Sequence, residues 1–163
     1  MSGLTESMKA LLVTRRYAIL ATTNDDGSIH MTPVWFLFEG ERLFVECHST
    51  SRKAKNIVAR PHVSLIVDVR KAAFEKWVSA AGIAEIVRGQ ASQDINEKVR
   101  KKYLTAAALD HPKLGPAFAA MDDMTIRITP KRWRSFDIAS VDRQFFGGIL
   151  SATPEQWLLP LEA

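Results

Sequence analysis

Short apolar runs divided by turn signals constrain this chain more than any other feature. Tyr17 to Thr22 ends at Asn24-Asp25-Asp26-Gly27, whose Asp-Gly step signals a hairpin. Ile29 to Phe38 ends at Glu39-Gly40-Glu41, and Arg42 to Cys47 follows. Val63, Leu65, Val67 and Val69 then alternate with Ser64, Ile66, Asp68 and Arg70, the period of a strand. Trp77 to Arg88 is a long fifth run, in which Gly82 predicts a bend or bulge. Met124, Ile126 and Ile128 alternate in a sixth, which Pro130 is expected to end, and Trp133 to Ile138 makes a seventh. Strands that follow one another through tight turns, without βαβ spacing, predict an antiparallel barrel or sandwich, mainly β with accessory helices in an α+β arrangement.

The helical segments lie between these runs. Leu4, Met8, Leu11 and Leu12 share one face of an opening helix within residues 1–13, capped by Ser2 or Thr5. Arg15 and Arg16 then fall near its C-terminal end, where cations suit the helix dipole. Ser51 to Ala59 reads as a short basic helix that stops at Arg60-Pro61. Ser92 to Ala108 reads as a longer one, with caps available at Ser92-Gln93-Asp94 and with Ile95 and Val99 facing inward. Pro116 to Met121 adds a further turn, and Gly147-Gly148 predicts a turn inside a C-terminal extension over 141–163. No repeat or linker divides the chain, so residues 1–163 read as a single domain.

Several classes are set aside by composition. Hydrophobic residues make up 47% and charged residues 25% of 163, a globular rather than a disordered balance. No apolar run reaches the ~18 residues of a membrane span. The start, Met1-Ser2-Gly3-Leu4-Thr5-Glu6, lacks the pattern of a signal peptide. Cys47 is the only cysteine, which rules out an internal disulfide; on a strand it reads as buried and inert. Together these predict a cytoplasmic protein. There is no Gly-x-Ser-x-Gly elbow and no Gly-x-Gly-x-x-Gly turn. His30, His48, His62 and His111 show no metal-pair spacing, so no metal is expected, and haem ligation by a lone histidine ranks low. The net charge of +4 and a pI near 9.4 favour anionic partners without choosing among them. A barrel that binds single-stranded nucleic acid ranks below other readings, because Val34-Trp35-Phe36-Leu37-Phe38 clusters its aromatics with aliphatics as a core does.

Two stretches can carry chemistry. Ser49-Thr50-Ser51-Arg52-Lys53-Ala54-Lys55-Asn56-Ile57 follows a strand and opens a helix. Hydroxyls and free N–H groups at a helix start favour an anion, Arg52 offers a planar fork and Lys53 a point charge, so a phosphate fits. A capped, solvated basic helix would read the same way. In His30-Met31-Thr32-Pro33-Val34-Trp35-Phe36, a proline within a strand marks an edge, a bulge or a place where a ligand meets the backbone. Trp35 and Phe36 read first as core.

In order, Gly27…His30-Met31-Thr32-Pro33-Val34-Trp35-Phe36, Ser51-Arg52-Lys53-Ala54-Lys55-Asn56-Ile57 and Arg60-Pro61-His62-Val63-Ser64-Leu65 resemble the pyridoxamine 5′-phosphate oxidase-like superfamily of flavin and deazaflavin split-barrel oxidoreductases. The likeness runs from about Tyr17 to Ile138. It implies an antiparallel split β-barrel of the FMN-binding type and a homodimer with its cofactor at the interface. The implied cofactor is FMN or, alternatively, the deazaflavin coenzyme F420; haem occurs in a few members. It implies redox chemistry on a small-molecule substrate, or cofactor binding without turnover. By position, Arg52 and Lys53 would grip the phosphate, helped by Ser49, Thr50 and Ser51. The backbone of Met31, Thr32, Pro33 and Val34 would line the ring, and Asn56 would anchor the loop. A deazaflavin tail of glutamates would need a basic groove, for which Arg15, Arg16, Lys55, Arg60, Arg70 and Lys71 are the candidates. The chain departs from true pyridoxamine phosphate oxidases at Lys131-Arg132-Trp133-Arg134-Ser135-Phe136-Asp137-Ile138, which lacks their histidine, so oxidation of that substrate is not implied.

Overall fold

The computed structural model describes residues 3–160. Seven strands form one antiparallel sheet: β1 (Ala18–Thr23), β2 (Ile29–Val34), β3 (Leu37–Glu39), β4 (Arg42–Cys47), β5 (His62–Val69), β6 (Lys76–Val87) and β7 (Met124–Asp137). Their order across the sheet is β2-β1-β5-β6-β7-β4-β3, which leaves β2 and β3 at the two edges. Helix α1 (Glu6–Leu12) precedes the sheet, and α2 (Arg52–Ala59) joins β4 to β5. Helices α3 (Gln90–Tyr103), α4 (Ala106–Asp110) and α5 (Leu114–Met121) lie between β6 and β7. After β7 come α6 (Ile138–Phe145), α7 (Ile149–Ala152) and α8 (Pro154–Trp157). Among the described residues no helix is long and apolar enough to cross a membrane.

Alternation along the strands builds the core. Leu20, Leu43, Val45, Leu65, Val67, Val78, Ile126 and Ile128 all point to one face and are buried there with Leu12 of α1, Ile57 of α2 and Phe36. Each such side chain contributes about 1.5–3 kcal/mol on leaving water. On the opposite face, where Ile19, Ala21, Met31, Ser64, Ile66, Ala81, Arg132 and Arg134 sit by register, the side chains are half-buried or exposed.

Turn chemistry follows the residues that the sequence placed there. Gly27 closes the β1–β2 hairpin at φ +83°, its N–H bonding to Asn24 O. Gly40 and Glu41 both take positive φ between β3 and β4, a primed two-residue turn. The bulge expected at Gly82 is present, and it changes the reading of Pro130. Ala81 pairs with Arg132 and Gly82 with Pro130, so Lys131 is an extra residue on β7. The missing N–H of Pro130 falls where the ladder is already interrupted, and β7 runs through it as one strand of fourteen residues instead of ending.

Other expectations are also corrected. The single run Ile29 to Phe38 is divided at Trp35–Phe36 because α3 takes over that backbone. The Tyr103 hydroxyl accepts from Phe36 N–H at 3.2 Å, and Lys102 Nζ donates to Phe36 O at 3.1 Å. The expected helix over Ser92 to Ala108 begins at Gln90 behind Gly89 and stops at Leu104, with Thr105 capping α4. Ser92 is no cap. It is buried, 2.9 Å from Thr125 Oγ1, which itself donates to Asn96 Oδ1 at 2.6 Å. Below them Arg100 meets Glu46 at 3.5 Å, both buried. Thr5 caps α1; Ser2 lies outside the described residues. Ile138 opens a helix where a strand was expected to end, because the Asp137 carboxylate accepts from Ala139 N–H and caps it.

A Cβ on Gly82 would run into Thr129 O and stand 2.8 Å from Pro130 Cα. Gly82→Ala is therefore expected to cost about 1–3 kcal/mol in chemical denaturation; an unchanged midpoint would contradict so tight a bulge. Cys47 is buried, and burial pushes its thiol up to about 11. At pH 8 the native protein should resist a thiol reagent, and one equivalent should react in denaturant; prompt labelling of the folded chain would refute this.

Candidate functional site

The start of α2 is built by its own sequence. Ser51 takes an extended conformation and its hydroxyl accepts from Ala54 N–H at 3.3 Å, so its oxygen is spent as the cap. Ala54, Asn56 and Ile57 turn inward. Asn56 Nδ2 donates to Thr22 Oγ1 at 3.0 Å and to Asn24 Oδ1 at 2.9 Å, which ties the helix to β1 and its turn. Arg60 adds a bond to Thr23 O at 3.0 Å and an ion pair with Asp25. Among the described residues the N–H groups of Arg52 and Lys53 have no protein acceptor, as expected for a first helical turn.

The two cations face different neighbours. Exposed Arg52 lines a cavity of about 390 Å³ with His30, Asn24, Asp25 and Asp26. The Ser28 hydroxyl and N–H hold the Asp26 carboxyl below its usual range, and Arg52 adds a smaller pull the same way. Lys53 faces Asp122. Burial raises the Asp122 carboxyl, against the opposing charges of Lys53, His48 and Arg100.

The loop hydroxyls are already engaged. Ser49 donates to Asp123 twice, from N–H at 2.7 Å and from Oγ at 2.6 Å, which holds the Asp123 carboxyl low. Thr50 Oγ1 lies 2.8 Å from His48 Nδ1. The sequence reading missed Asp122 and Asp123, since no local signal joins them to a loop more than seventy residues earlier.

Strand β2 supplies the other half. Among the described residues its outer backbone edge pairs with no strand. Met31 and Pro33 are exposed and Val34 is buried, while the Thr32 Oγ1 is buried with no hydrogen-bond partner among the described residues. An orphaned hydroxyl beside a free strand edge suits a group that brings its own donors and acceptors. Just beyond, Trp35 stacks on Tyr103 with ring centres 4.9 Å apart, and Lys102 lies 3.9 Å from the centre of the buried Phe36 ring. Burial pushes Lys102 down to about 8.

The β1–β2 hairpin thus brings His30 to Arg52, so the two expected stretches meet in space. Three of the six cations named for a basic groove have partners of their own. Arg60 is held by Asp25, Arg70 by Asp68, and Lys71 lies over Phe74. Lys131, Arg132 and Arg134 instead line a groove of about 1120 Å³ on the uncovered sheet face, and no ion pair holds them among the described residues. No group of His, Cys, Asp and Glu among those residues can hold a metal.

Comparison with known proteins agrees with the fold. A conserved hypothetical protein from Mycobacterium tuberculosis is 25% identical, with 85% of this chain and 88% of that one covered at a TM-score of 0.70. An F420 reductase is also 25% identical, covering 80% and 98% at 0.62. A haem storage protein from Vibrio cholerae shares the fold at 17% identity, covering 83% and 95% at 0.62. A search of the curated proteins returns no match. The model of the pyridoxamine 5′-phosphate oxidase family matches residues 4–137, and this chain, a half-barrel of the split-barrel type, belongs to that family.

Proposed function

We propose that this chain is a flavin- or deazaflavin-dependent oxidoreductase acting on a small molecule, with the ring along β2 and the phosphate at the start of α2. The observation that carries the reading is the free edge of β2, with its unpartnered Thr32 hydroxyl, in the same hairpin that sets His30 beside Arg52. Arg52 would fork to phosphate oxygens with the open N–H groups of the first turn, and Lys53 would add a point charge. Met31, Thr32, Pro33 and Val34 would present backbone groups to the ring edge. When bound, such a cofactor supplies hydride or electron transfer at its ring; the chain grips, orients and excludes water. FMN is the first candidate from the Ser51-Arg52-Lys53 motif, and the 25% likeness to an F420 reductase supports the deazaflavin as the alternative. The shared fold of a haem storage protein supports a second reading, a bound group held without turnover. Reduction and reoxidation assays separate the two.

The bare face of the sheet supports a homodimer. Ile29 and Met31 are each exposed by about three-fifths on or beside it, and a twofold pairing would cover both copies at once. Sedimentation is expected to give twice the 18.2 kDa of one chain; a stable, cofactor-loaded monomer at micromolar concentration would refute this.

The double variant Arg52→Ala/Lys53→Ala should lose about 3 kcal/mol or more of FMN or deazaflavin affinity, at about 1.5–3 kcal/mol for each charged hydrogen bond. Unchanged affinity in a fluorescence titration would sink the assignment. Asp123→Ala should have the opposite effect. It releases two Ser49 donors and removes a negative charge beside them, so affinity should rise about fivefold to tenfold. A fall would show that Asp123 shapes the loop rather than competing for it.

A further inference from the structure

Helices α4 and α5 form a hairpin that is built within itself and lightly attached. Thr105 caps α4, and the His111 ring accepts from Lys113 N–H at 3.2 Å. The two helices meet so closely at Gly115 that a Cβ there would run into Leu109 O, so they move as one piece. They pack on each other and on α3, and every side chain in them is half-buried or exposed. Such shallow burial gives a segment low local stability.

The hairpin is fastened near the candidate site by a ring contact and by a pair of acids. Phe118 of α5 lies on Trp35, with ring centres 6.1 Å apart and planes at 29°. Trp35 follows Val34 directly in the chain and lies parallel to Tyr103, whose hydroxyl donates to Arg16 O at 2.6 Å. At the end of α5, Asp122 and Asp123 lead into β7. The pairing of Cys47 with Met124 brings these acids alongside the β4–α2 loop. There Asp123 takes both Ser49 donors, N–H at 2.7 Å and Oγ at 2.6 Å, and Lys53 faces Asp122. Ser49 and Lys53 are among the groups expected to hold a phosphate. Carboxylates of the insert thus sit on donors that an incoming anion needs.

We propose that the Asp123–Ser49 contact is a latch: an anion bound at the start of α2 displaces Asp123, α5 lifts with Phe118, and the Trp35 ring is bared beside β2. The latch rests on the phosphate seat of the function proposed above and adds an order of events, cofactor first and substrate second. A carboxylate and an anionic ligand repel each other at close range, so they cannot share the Ser49 donors. Asp123 is exposed, and a ligand reaches the contact without opening the core. Tyr103 stays behind, because its hydroxyl is tied to the backbone of Arg16. Coupling of this kind is reciprocal: whatever loosens the hairpin tightens the anion.

Fluorine NMR on the whole chain labelled with fluorotryptophan separates the parts. The chain has four tryptophans, and the Trp35→Phe variant assigns one resonance. With nothing bound, Asp123→Ala should move the Trp35 resonance in the direction that saturating inorganic phosphate moves it in the wild type. The Trp77, Trp133 and Trp157 resonances should stay. Ser49→Ala, which loses one of the two hydrogen bonds, should move Trp35 part of the way. The distant variant Phe118→Ala should tighten inorganic phosphate about twofold to tenfold, because it removes the aromatic pair that holds the hairpin closed. Circular dichroism checks that each variant keeps the barrel. A Trp35 resonance that Asp123→Ala leaves in place, or a phosphate affinity that Phe118→Ala leaves unchanged, overturns the latch. If FMN or the deazaflavin still binds those samples, the cofactor reading stands without it. No binding of FMN, deazaflavin or phosphate by the wild type overturns both.

Discussion

The pairing of β6 with β7 is the constraint on which the rest of the molecule depends. These are the two longest strands, and they run together from Lys76–Asp137 to Val87–Thr125 with one irregularity, the extra Lys131 opposite Gly82. On one side β6 carries β5, β1 and the β2 edge; on the other β7 carries β4 and β3. A bulge adds twist, and here it lets one antiparallel sheet curl far enough for Leu20 of β1 and Val45 of β4 to share a core. Only glycine fits at the crossing point, because backbone oxygen and Cα fill the space where a side chain would begin.

That curl positions both halves of the site. It sets the start of α2 against the β1–β2 turn, where Asn56 and Arg60 fasten it. The helical insert between β6 and β7 closes the other flank. Its buried stripe is polar, Ser92, Asn96 and Arg100, with partners waiting on β7 and β4. The Glu46 carboxyl under this stripe is pushed up to about 7 by burial and by Asp122, more than Arg100 offsets. Charge is thus held tightly in check beside the loop that is proposed to take a phosphate.

Much of the fold is legible because one-sided burial writes itself as alternation: β4 and β5 are found almost where the pattern places them. Gly82 is legible as a bulge for a steric reason. Pro130 is misread because its usual effect, a lost ladder bond, is cancelled by that same bulge. The start of the insert is misread because Ser92 is buried against Thr125 instead of capping the helix, while Val99 faces inward as its spacing predicts. In the candidate site, Arg52 and the β2 proline stretch stand out by residue type alone. Asp123, which occupies the Ser49 donors, is not, since 74 positions separate the two and only the sheet brings them together. The C-terminal helices rest on a tertiary hydrogen-bond hub at Asp142 that no local pattern announces.

Amide hydrogen exchange on the protein with and without saturating FMN or deazaflavin tests the central claim most directly, since it reports binding and location together. The account predicts added protection at Met31 to Val34 and at Ser49 to Lys53 for one of the two ligands, with little change on the core strands β5 and β6. Protection confined to other segments, or no binding of either ligand, would contradict it.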